Sequence, residues 1–297
     1  MKSIQRREFL KTAAVTASAV GLAGRSWAAP VDTDPTGMVP LGQALKVSRL
    51  GFGTGMRGWN QESNQTRMGP DKFTELTLYA YDQGVRFYDM ADIYGSHSFF
   101  AKALAGKPRD SYAYCSKIWW RPGGIPYENR PDADVVVERF LKECKTDYLD
   151  LVQLHCCTEE DWPTKLAKQM DILERLKEKG IVRAHGVSCH SLDALRAAAE
   201  TPWVDVVHAR INPFGVKMDG PPEEVVPVLK KIHAAGKGVI GMKIIGEGEF
   251  AGDPEKRRES AEFAVGLGCV DVLIVGFEEK SHVDELKKNV ALALRKI

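Results

Sequence analysis

The chain has 297 residues, of which 44% are hydrophobic and 27% are charged, values that are usual for a soluble globular protein. Its net charge of +1 gives no reason to expect nucleic acid or an anionic membrane as a partner. The length suits one large α/β domain or two small ones, and no linker or charge run divides the chain.

The start of the chain has the layout of a twin-arginine export signal. Arg6 and Arg7 precede an apolar stretch of small residues, which ends in a cleavage-like motif at Ala28. The apolar stretch falls short of the ~20 residues that span a bilayer, which disfavours a membrane anchor. We therefore predict a signal peptide at residues 1–28 and a mature chain of residues 29–297. The twin-arginine machinery would export it to the periplasm without stable membrane insertion.

Beyond this signal, strand-like and helix-like segments alternate. Residues 38–42 and 45–47 are expected to form a short hairpin, and residues 47–53 the first buried strand. The helix and strand pairs expected after it are 72–82 with 85–88, 98–105 with 112–116, 134–142 with 149–154, 163–179 with 182–187, 192–199 with 204–209, 222–235 with 238–243, and 255–266 with 270–275, before a last helix at 281–295. Several of these helices end at a glycine, the usual C-terminal stop.

Eight strand–helix units in about 250 residues have the size of a (β/α)8 barrel. We therefore predict an α/β fold with a single (β/α)8 TIM barrel and a short N-terminal hairpin. A doubly wound open sheet is the alternative, but no G-x-G-x-x-G run opens a first helix. The six cysteines show neither a C-x-x-C pair nor metal-ligand spacing, so we expect no disulfide and no metal site.

Three consecutive predicted strands end in polar residues. Asp89, Lys117 and His155 each follow the apolar run of one strand, and Tyr94 lies in the loop after the first. The C-terminal ends of barrel strands share one rim, where such enzymes keep their chemistry. Taken singly, each residue is more often a turn, cap or satisfied polar group than a catalyst. Their joint position predicts a catalytic site at the barrel mouth.

Tyr94 is the candidate proton donor of this site. A free tyrosine has a pKa near ~10, and a proton donor works best with a pKa close to the working pH. Lowering the pKa to neutrality requires roughly 4 kcal/mol of phenolate stabilisation. We expect the Lys117 ammonium to supply it and Asp89 to hold Lys117 charged. His155 would hydrogen-bond a substrate oxygen or share a proton with Tyr94.

The motifs around these residues resemble those of the aldo-keto reductase family over essentially the whole mature chain. The family's D-x-A-x-x-Y-G stretch corresponds to residues 89–95, its S/T-K-x-W to 116–119 and its D-L-x-x-x-H to 150–155. The entry at 41–54 and the run at 186–188 are also similar. The resemblance implies an extended NADPH across the barrel mouth without a Rossmann unit. It also implies a catalytic tetrad, formed by Asp89, Tyr94, Lys117 and His155.

The half of the chain that would bind the cofactor resembles the family less closely. The family's Ser-Asn, its Gln and its stacking aromatic correspond to Ser188-Cys189, to His208 and to Met242. In the segment that resembles the 2′-phosphate site, the family's Arg corresponds to His282. Glu278 and Glu279 there would repel a phosphate, and Lys280 and Ser281 are candidate compensating groups. We expect NADP, with NAD as the alternative. The cofactor contacts that the resemblance implies are Gly53, Thr54, Gly55, Ser188, His208, Met242, Lys243, Gly276, Phe277, Lys280 and His282.

Trp59, Trp119 and Trp120 lie on predicted rim loops. Aromatic side chains there would line an apolar substrate pocket, although tryptophans are equally suited to packing loops onto a barrel. We take the three tryptophans as candidate substrate contacts.

The leading prediction is an NAD(P)(H)-dependent oxidoreductase that reduces an aldehyde or ketone, or oxidises the alcohol. Tyr94 would be the general acid/base. The first alternative is a lyase or isomerase that uses Tyr94 and His155 for proton transfer without net cofactor turnover. The second is a non-catalytic, nucleotide-binding partner subunit.

Overall fold

Eight parallel strands close into a barrel, in the order β3 to β10, with β10 pairing back onto β3. The computed structural model describes residues 33–297, so the predicted signal at 1–28 lies outside the described residues. The prediction of a (β/α)8 barrel is confirmed. The barrel strands are β3 (Leu50–Gly53), β4 (Phe87–Asp89), β5 (Ala113–Ile118), β6 (Leu149–Cys157), β7 (Val182–Cys189), β8 (Val206–Arg210), β9 (Gly238–Met242) and β10 (Val272–Val275).

A two-stranded hairpin lies at the N-terminal end of the barrel strands. Its strands β1 (Met38–Leu41) and β2 (Leu45–Ser48) are antiparallel, as predicted. Leu41 and Val47 of the hairpin pack onto the inward-facing apolar side chains of the barrel. Gly42 turns the hairpin with a φ of +61°, and a Cβ there would lie only 2.7 Å from the backbone nitrogen of Gly238. Only glycine therefore fits this turn.

Helices cover the outside of the barrel, and their apolar faces form the larger hydrophobic core with the outward-facing side chains of the strands. The helices are α1 (Asn64–Arg67), α2 (Pro70–Asp82), α3 (His97–Ala103), α4 (Ala133–Cys144), α5 (Trp162–Lys165), α6 (Ala167–Glu178), α7 (Leu192–Glu200), α8 (Pro222–Ala234), α9 (Pro254–Gly266) and α10 (Lys280–Leu294). None of the helices in residues 33–297 combines the length and apolarity needed to cross a bilayer.

The inward-facing rows of the strands change from apolar to polar toward the C-terminal rim. Side chains alternate between the two faces of a strand, so residues two apart share a face. In β5 the inward row is Ala113, Cys115 and Lys117, and in β4 it is Phe87 and Asp89. The apolar residues pack in the lower barrel, and the polar residues reach the mouth. The pleat of the strands therefore places the polar side chains at one end.

Two expected elements differ from the structure. The helix expected at 163–179 is two helices, α5 and α6, because Leu166 has a non-helical φ of −106° and ψ of 12° and its side chain is buried. The strand expected at 47–53 is divided between β2 and β3. The Ser48 hydroxyl donates to the Leu50 carbonyl oxygen and accepts the Arg86 backbone N–H, which fixes the bend between them.

Replacing Phe52 by alanine should strongly destabilise the barrel. The Phe52 ring is fully buried and lies 5.2–6.0 Å from the ring centres of Phe73, Phe100 and Phe277. Removing a buried aromatic ring costs about 3–5 kcal/mol. Urea unfolding should show this loss. The matched control is Val135→Ala, at a side chain exposed to 54%. An equal midpoint for the two variants would contradict the assignment of Phe52 to the core.

Candidate active site

Four predicted residues meet at the mouth of the barrel. Asp89, Lys117 and His155 lie on β4, β5 and β6, and Tyr94 follows β4 in a turn of 3-10 helix. Lys117 Nζ donates to Asp89 Oδ1 and, at 2.9 Å, to the carbonyl oxygen of Met90. The Tyr94 hydroxyl lies 3.3 Å from His155 Nε2, and Lys117 Nζ lies 5.3 Å from the centre of the Tyr94 ring. A phenol, an imidazole and a buried ion pair thus share one small volume.

The Tyr94 ring is held by the loop after β3. A Cβ at Gly55 would lie 2.5 Å from Tyr94 Cζ, and one at Gly58 would lie 2.4 Å from Tyr94 Cδ1. Both positions therefore need glycine. They belong to residues 53–58, which have G-x-G-x-x-G spacing, but this run does not open a helix, since α1 begins only at Asn64. These glycines accommodate the phenol of the site.

Asp89 and Lys117 form an ion pair that is almost fully buried. Burial by itself raises the pKa of the Asp89 carboxyl, but Lys117 and His208 outweigh burial and hold that pKa well below its usual range. Burial by itself lowers the pKa of Lys117, but Asp89 raises it above its usual value. Each charge therefore keeps the other ionised at neutral pH.

Tyr94 and His155 are both neutral at neutral pH. Burial raises the pKa of Tyr94 to about 12, and Lys117 opposes this only in part. Burial therefore outweighs the lowering that we expected from Lys117, and Asp89 adds to the rise. Burial and Lys117 hold the pKa of His155 well below its usual range. The pair is thus a protonated phenol beside an uncharged imidazole.

Several buried polar atoms at the mouth have no well-aligned partner within residues 33–297. They include both ring nitrogens of His208 and the Nδ1 atom of His155. His208 Nε2 lies 3.3 Å from Asp89 Oδ1, and burial lowers the pKa of its imidazole while Asp89 opposes that effect. His208 Nε2 thus faces Asp89, whereas the Nδ1 atoms of His155 and His208 lack the hydrogen bond that buried polar atoms normally make.

Two adjoining cavities lead away from Tyr94. The first has a volume of about 110 Å³ and includes Asp89 and Tyr94 in its wall. The second has a volume of about 120 Å³ and includes Glu278 and His282. The residues in the walls of both are Met56, Ile244, Ile245, Gly248, Val275 and Gly276. We call the two cavities together the trough, since they form one elongated space from the tetrad to the start of α10.

Residues 49–288 match the sequence model of the aldo/keto reductase family. The chain belongs to this family. Among its relatives is "Probable aldo-keto reductase 1" of Glycine max, which is 28% identical over 223 residues. That match covers 72% of this chain and 61% of the soybean protein, so the chain spans less than two thirds of that relative's length.

Solved structures of family members share the barrel. A putative aldo-keto reductase from Pseudomonas aeruginosa superimposes with a TM-score of 0.70 at 23% identity, over 86% of this chain and 95% of that one. An aldo-keto reductase from Klebsiella pneumoniae in complex with NADPH has a TM-score of 0.63 at 18% identity, over 85% and 89%. At these identities the likeness establishes the fold.

The cofactor contacts implied by the aldo/keto reductase resemblance fall into two groups. The candidates that line the trough are Gly53, Gly55, Met242, Lys243, Gly276 and His282. The candidates outside its walls are Thr54, Ser188, His208, Phe277 and Lys280.

The second group makes contacts within the protein. The Thr54 hydroxyl donates to the Asp89 carbonyl oxygen at 2.8 Å, and Ser188 Oγ accepts the Cys156 backbone N–H at 2.9 Å. Lys280 pairs with Glu75 on the outer surface. A role for these residues in cofactor binding stays a prediction.

The predicted tryptophans are not equivalent. Trp119 packs edge-on against His155 with ring centres 5.3 Å apart, and Trp59 packs edge-on against Trp119 at 6.0 Å. Trp59 is 56% exposed, so these two rings form a wall from the tetrad to solvent. The Trp120 indole instead donates to the carbonyl oxygen of His155 at 2.6 Å. It therefore steadies the backbone behind the site.

A polar cluster beside His155 was not found from the sequence. Arg210 contacts His190 Nδ1 and lies 3.2 Å from Asp219, and the rings of His190 and His155 have centres 6.0 Å apart. Burial raises the pKa of Asp219 to about 6, although Arg210 opposes it. Arg210 is two residues beyond His208 on β8, so period-two spacing was the available signal. Asp219 lies in a turn, and no sequence pattern marked it as part of the site.

Replacing Lys117 by methionine should destabilise the protein through Asp89. Breaking a buried pair leaves one uncompensated charge and costs about 3–5 kcal/mol. Without its cation, the buried Asp89 should have a pKa above the unfolded value of about 3.9. The deficit should therefore be largest near neutral pH and shrink as pH falls toward about 4, because the variant's Asp89 then takes up a proton.

Urea unfolding of both proteins at several pH values checks this. Lys142→Met is the matched control, since Lys142 pairs with Glu138 on the exposed face of α4. That variant should show no measurable loss. A Lys117→Met deficit that does not change with pH would contradict the assignment of its cost to Asp89.

Proposed function

We propose that the chain is an NAD(P)(H)-dependent oxidoreductase that reduces an aldehyde or ketone, or oxidises the corresponding alcohol. The observation that carries the proposal is the Tyr94–His155 pair, 3.3 Å apart, above the buried Lys117–Asp89 pair. A purely structural role would not require a phenol and an imidazole to face each other at a barrel mouth. Family membership and the NADPH held by the Klebsiella pneumoniae relative support the same activity.

The residues of the trough fit an extended dinucleotide. Glycines at 53, 55, 248 and 276 line it, and a backbone without side chains permits close approach of a ligand. Lys243 adds a cation to the same wall, where it pairs with Glu247 at 2.9 Å. When bound, the nicotinamide would supply or accept a hydride at the substrate carbon.

Residues of the chain itself transfer the proton to the substrate oxygen. In the reducing direction the substrate carbonyl oxygen would lie between Tyr94 Oη and His155 Nε2, and Tyr94 would donate its proton as negative charge develops on that oxygen. The neutral His155 would donate a hydrogen bond to the same atom, which requires its proton on Nε2. Lys117 stabilises the resulting phenolate, and this interaction strengthens during the reaction because the charge appears only then.

Because the pKa of Tyr94 is high, its phenolate needs a nearby cation when the proton leaves, and the ion pair holds that cation in place. At a pKa of about 12 the phenol is fully protonated at neutral pH, which is the form that the reduction needs. Asp89 keeps Lys117 charged, so a cation is in place before the proton leaves. In the reverse direction the phenolate would have to form first, so alcohol oxidation should favour higher pH.

Replacing Tyr94 by phenylalanine should remove turnover and leave nucleotide binding in place. Losing a positioned proton donor lowers kcat by about 10²–10⁴-fold. Steady-state assays with a panel of aldehydes and ketones, together with nucleotide titration, measure both quantities. Tyr79→Phe is the control, since its hydroxyl donates to Asp284 on the outer helices. Full turnover of every accepted carbonyl by the Tyr94→Phe protein would refute the mechanism.

The same assays separate the proposal from proton transfer without net redox change. The redox enzyme consumes one NAD(P)H for each alcohol formed. Product formed without nucleotide oxidation would instead identify a lyase or isomerase that uses Tyr94 and His155.

We also propose that residues 1–28 export the protein by the twin-arginine route. The paired arginines and the short apolar stretch support this. Replacing Arg6 and Arg7 together by lysine keeps the charge and should leave the uncleaved precursor in the cytoplasm, as cell fractionation would show. Arg25→Lys is the control outside the pair. Unchanged periplasmic recovery of the double variant would contradict this route.

A further inference from the structure

The charged groups at the far end of the trough bear on which dinucleotide it takes. A ligand whose reactive end lies at Tyr94 and which fills the first cavity must place its other end in the second. That cavity combines apolar residues such as Ile245 and Leu286 with charged ones. Its ionic side chains are one guanidinium, Arg257, and two carboxylates, Glu278 and Glu285. These three ionic side chains together carry a net negative charge.

The single guanidinium is already engaged. Arg257 Nε donates to Glu285 Oε1 at 2.9 Å, and its Nη1 atom donates to the backbone carbonyl oxygens of Phe250 and Ala251. His282 Nδ1 accepts the backbone N–H of Glu278 at 3.3 Å, so this nitrogen is not a donor to a ligand. The one guanidinium of the cavity is therefore already bound within the protein, and of the His282 ring only the Nε2 atom remains to donate to a ligand.

One of the two carboxylate oxygens of Glu278 can still accept a hydrogen bond. Its Oε1 atom accepts from Asn64 Nδ2 at 2.7 Å, which fixes the carboxylate at the rim of the trough. Within residues 33–297, Oε2 has no comparable bond. A carboxylate held in this way accepts a hydrogen bond from a hydroxyl group and repels a phosphate.

Other cations near Glu278 face different clefts. Arg67 and Lys72 border surface clefts on the α1 and α2 side of Glu278, outside the walls of the trough. Arg67 is 3.7 Å from Glu62 and also donates to Asn64. Lys280 pairs with Glu75 on that same side. Glu278 thus stands between these cations and a ligand in the trough.

We propose that the trough selects a dinucleotide with a free ribose 2′-hydroxyl, NAD(H), over its 2′-phosphorylated counterpart, and that Glu278 determines the choice. The inference rests on the proposed function, since it concerns the same cofactor. An acidic residue that accepts from a ribose 2′-hydroxyl discriminates against NADP in other dinucleotide sites, where an arginine favours the 2′-phosphate. Our sequence-based expectation was NADP with NAD as the alternative, and the proposal takes that alternative for this chain.

The test compares the binding of NADH and NADPH to the full chain by calorimetric titration. Wild-type protein should bind NADH at least about tenfold more tightly than NADPH. Glu278→Gln should raise the affinity for NADPH about tenfold with little effect on NADH, and Glu278→Arg should reverse the preference. Glu279→Gln is the matched control, because it removes the same charge from an exposed neighbour outside the trough.

The outcomes separate the inference from the proposed function. Wild-type protein that binds NADPH as tightly as NADH, or more tightly, would overturn the inference and leave the oxidoreductase standing. Equal effects of Glu278→Gln and Glu279→Gln would show that Glu278 does not determine the choice. Protein that binds neither nucleotide would overturn both proposals.

Discussion

The chemistry at this barrel mouth depends on the buried ion pair between Lys117 and Asp89. Neither charge could be held in the core alone, because desolvation penalises each of them. Their contact keeps both ionised and places a fixed cation under the phenol of Tyr94. In the resting state the cation offsets the effect of burial on the pKa of that phenol only in part. In the proposed mechanism, its stabilising effect grows when negative charge develops on the phenol oxygen.

The barrel makes this pairing possible through the pleat of its strands. Inward rows that begin with Phe87, Ala113 and Leu151 end in Asp89, Lys117 and His155. Apolar side chains fill the lower barrel, and the hairpin packs against them. The polar side chains at the other end of the strands therefore pair with one another at the mouth. Stability and reactivity thus belong to opposite ends of the same strands.

The fold and the meeting of the four polar side chains at the barrel mouth were predictable because their signals are local. Period-two alternation, glycine stops and short motifs can be read within a few residues. Features that depend on several segments distant in the sequence could not be predicted in this way. The pKa of Tyr94 depends on how deeply the ring is buried, and the Arg210–Asp219 contact joins a strand to a turn. The break at Leu166 has no glycine or proline to announce it.

The contacts of Gly55 and Gly58 with the Tyr94 ring link three positions of the sequence. Neither glycine has a positive φ; each is required by the space that the phenol occupies. A chain with a smaller residue at 94 would have room for alanine at 55 and 58, while a chain that keeps the tyrosine would not. Between related chains, the residues at positions 55, 58 and 94 should therefore change together or stay the same together. A side chain at position 55 or 58 would occupy the space that the Tyr94 ring fills here, so it would indicate that the phenol is absent or displaced.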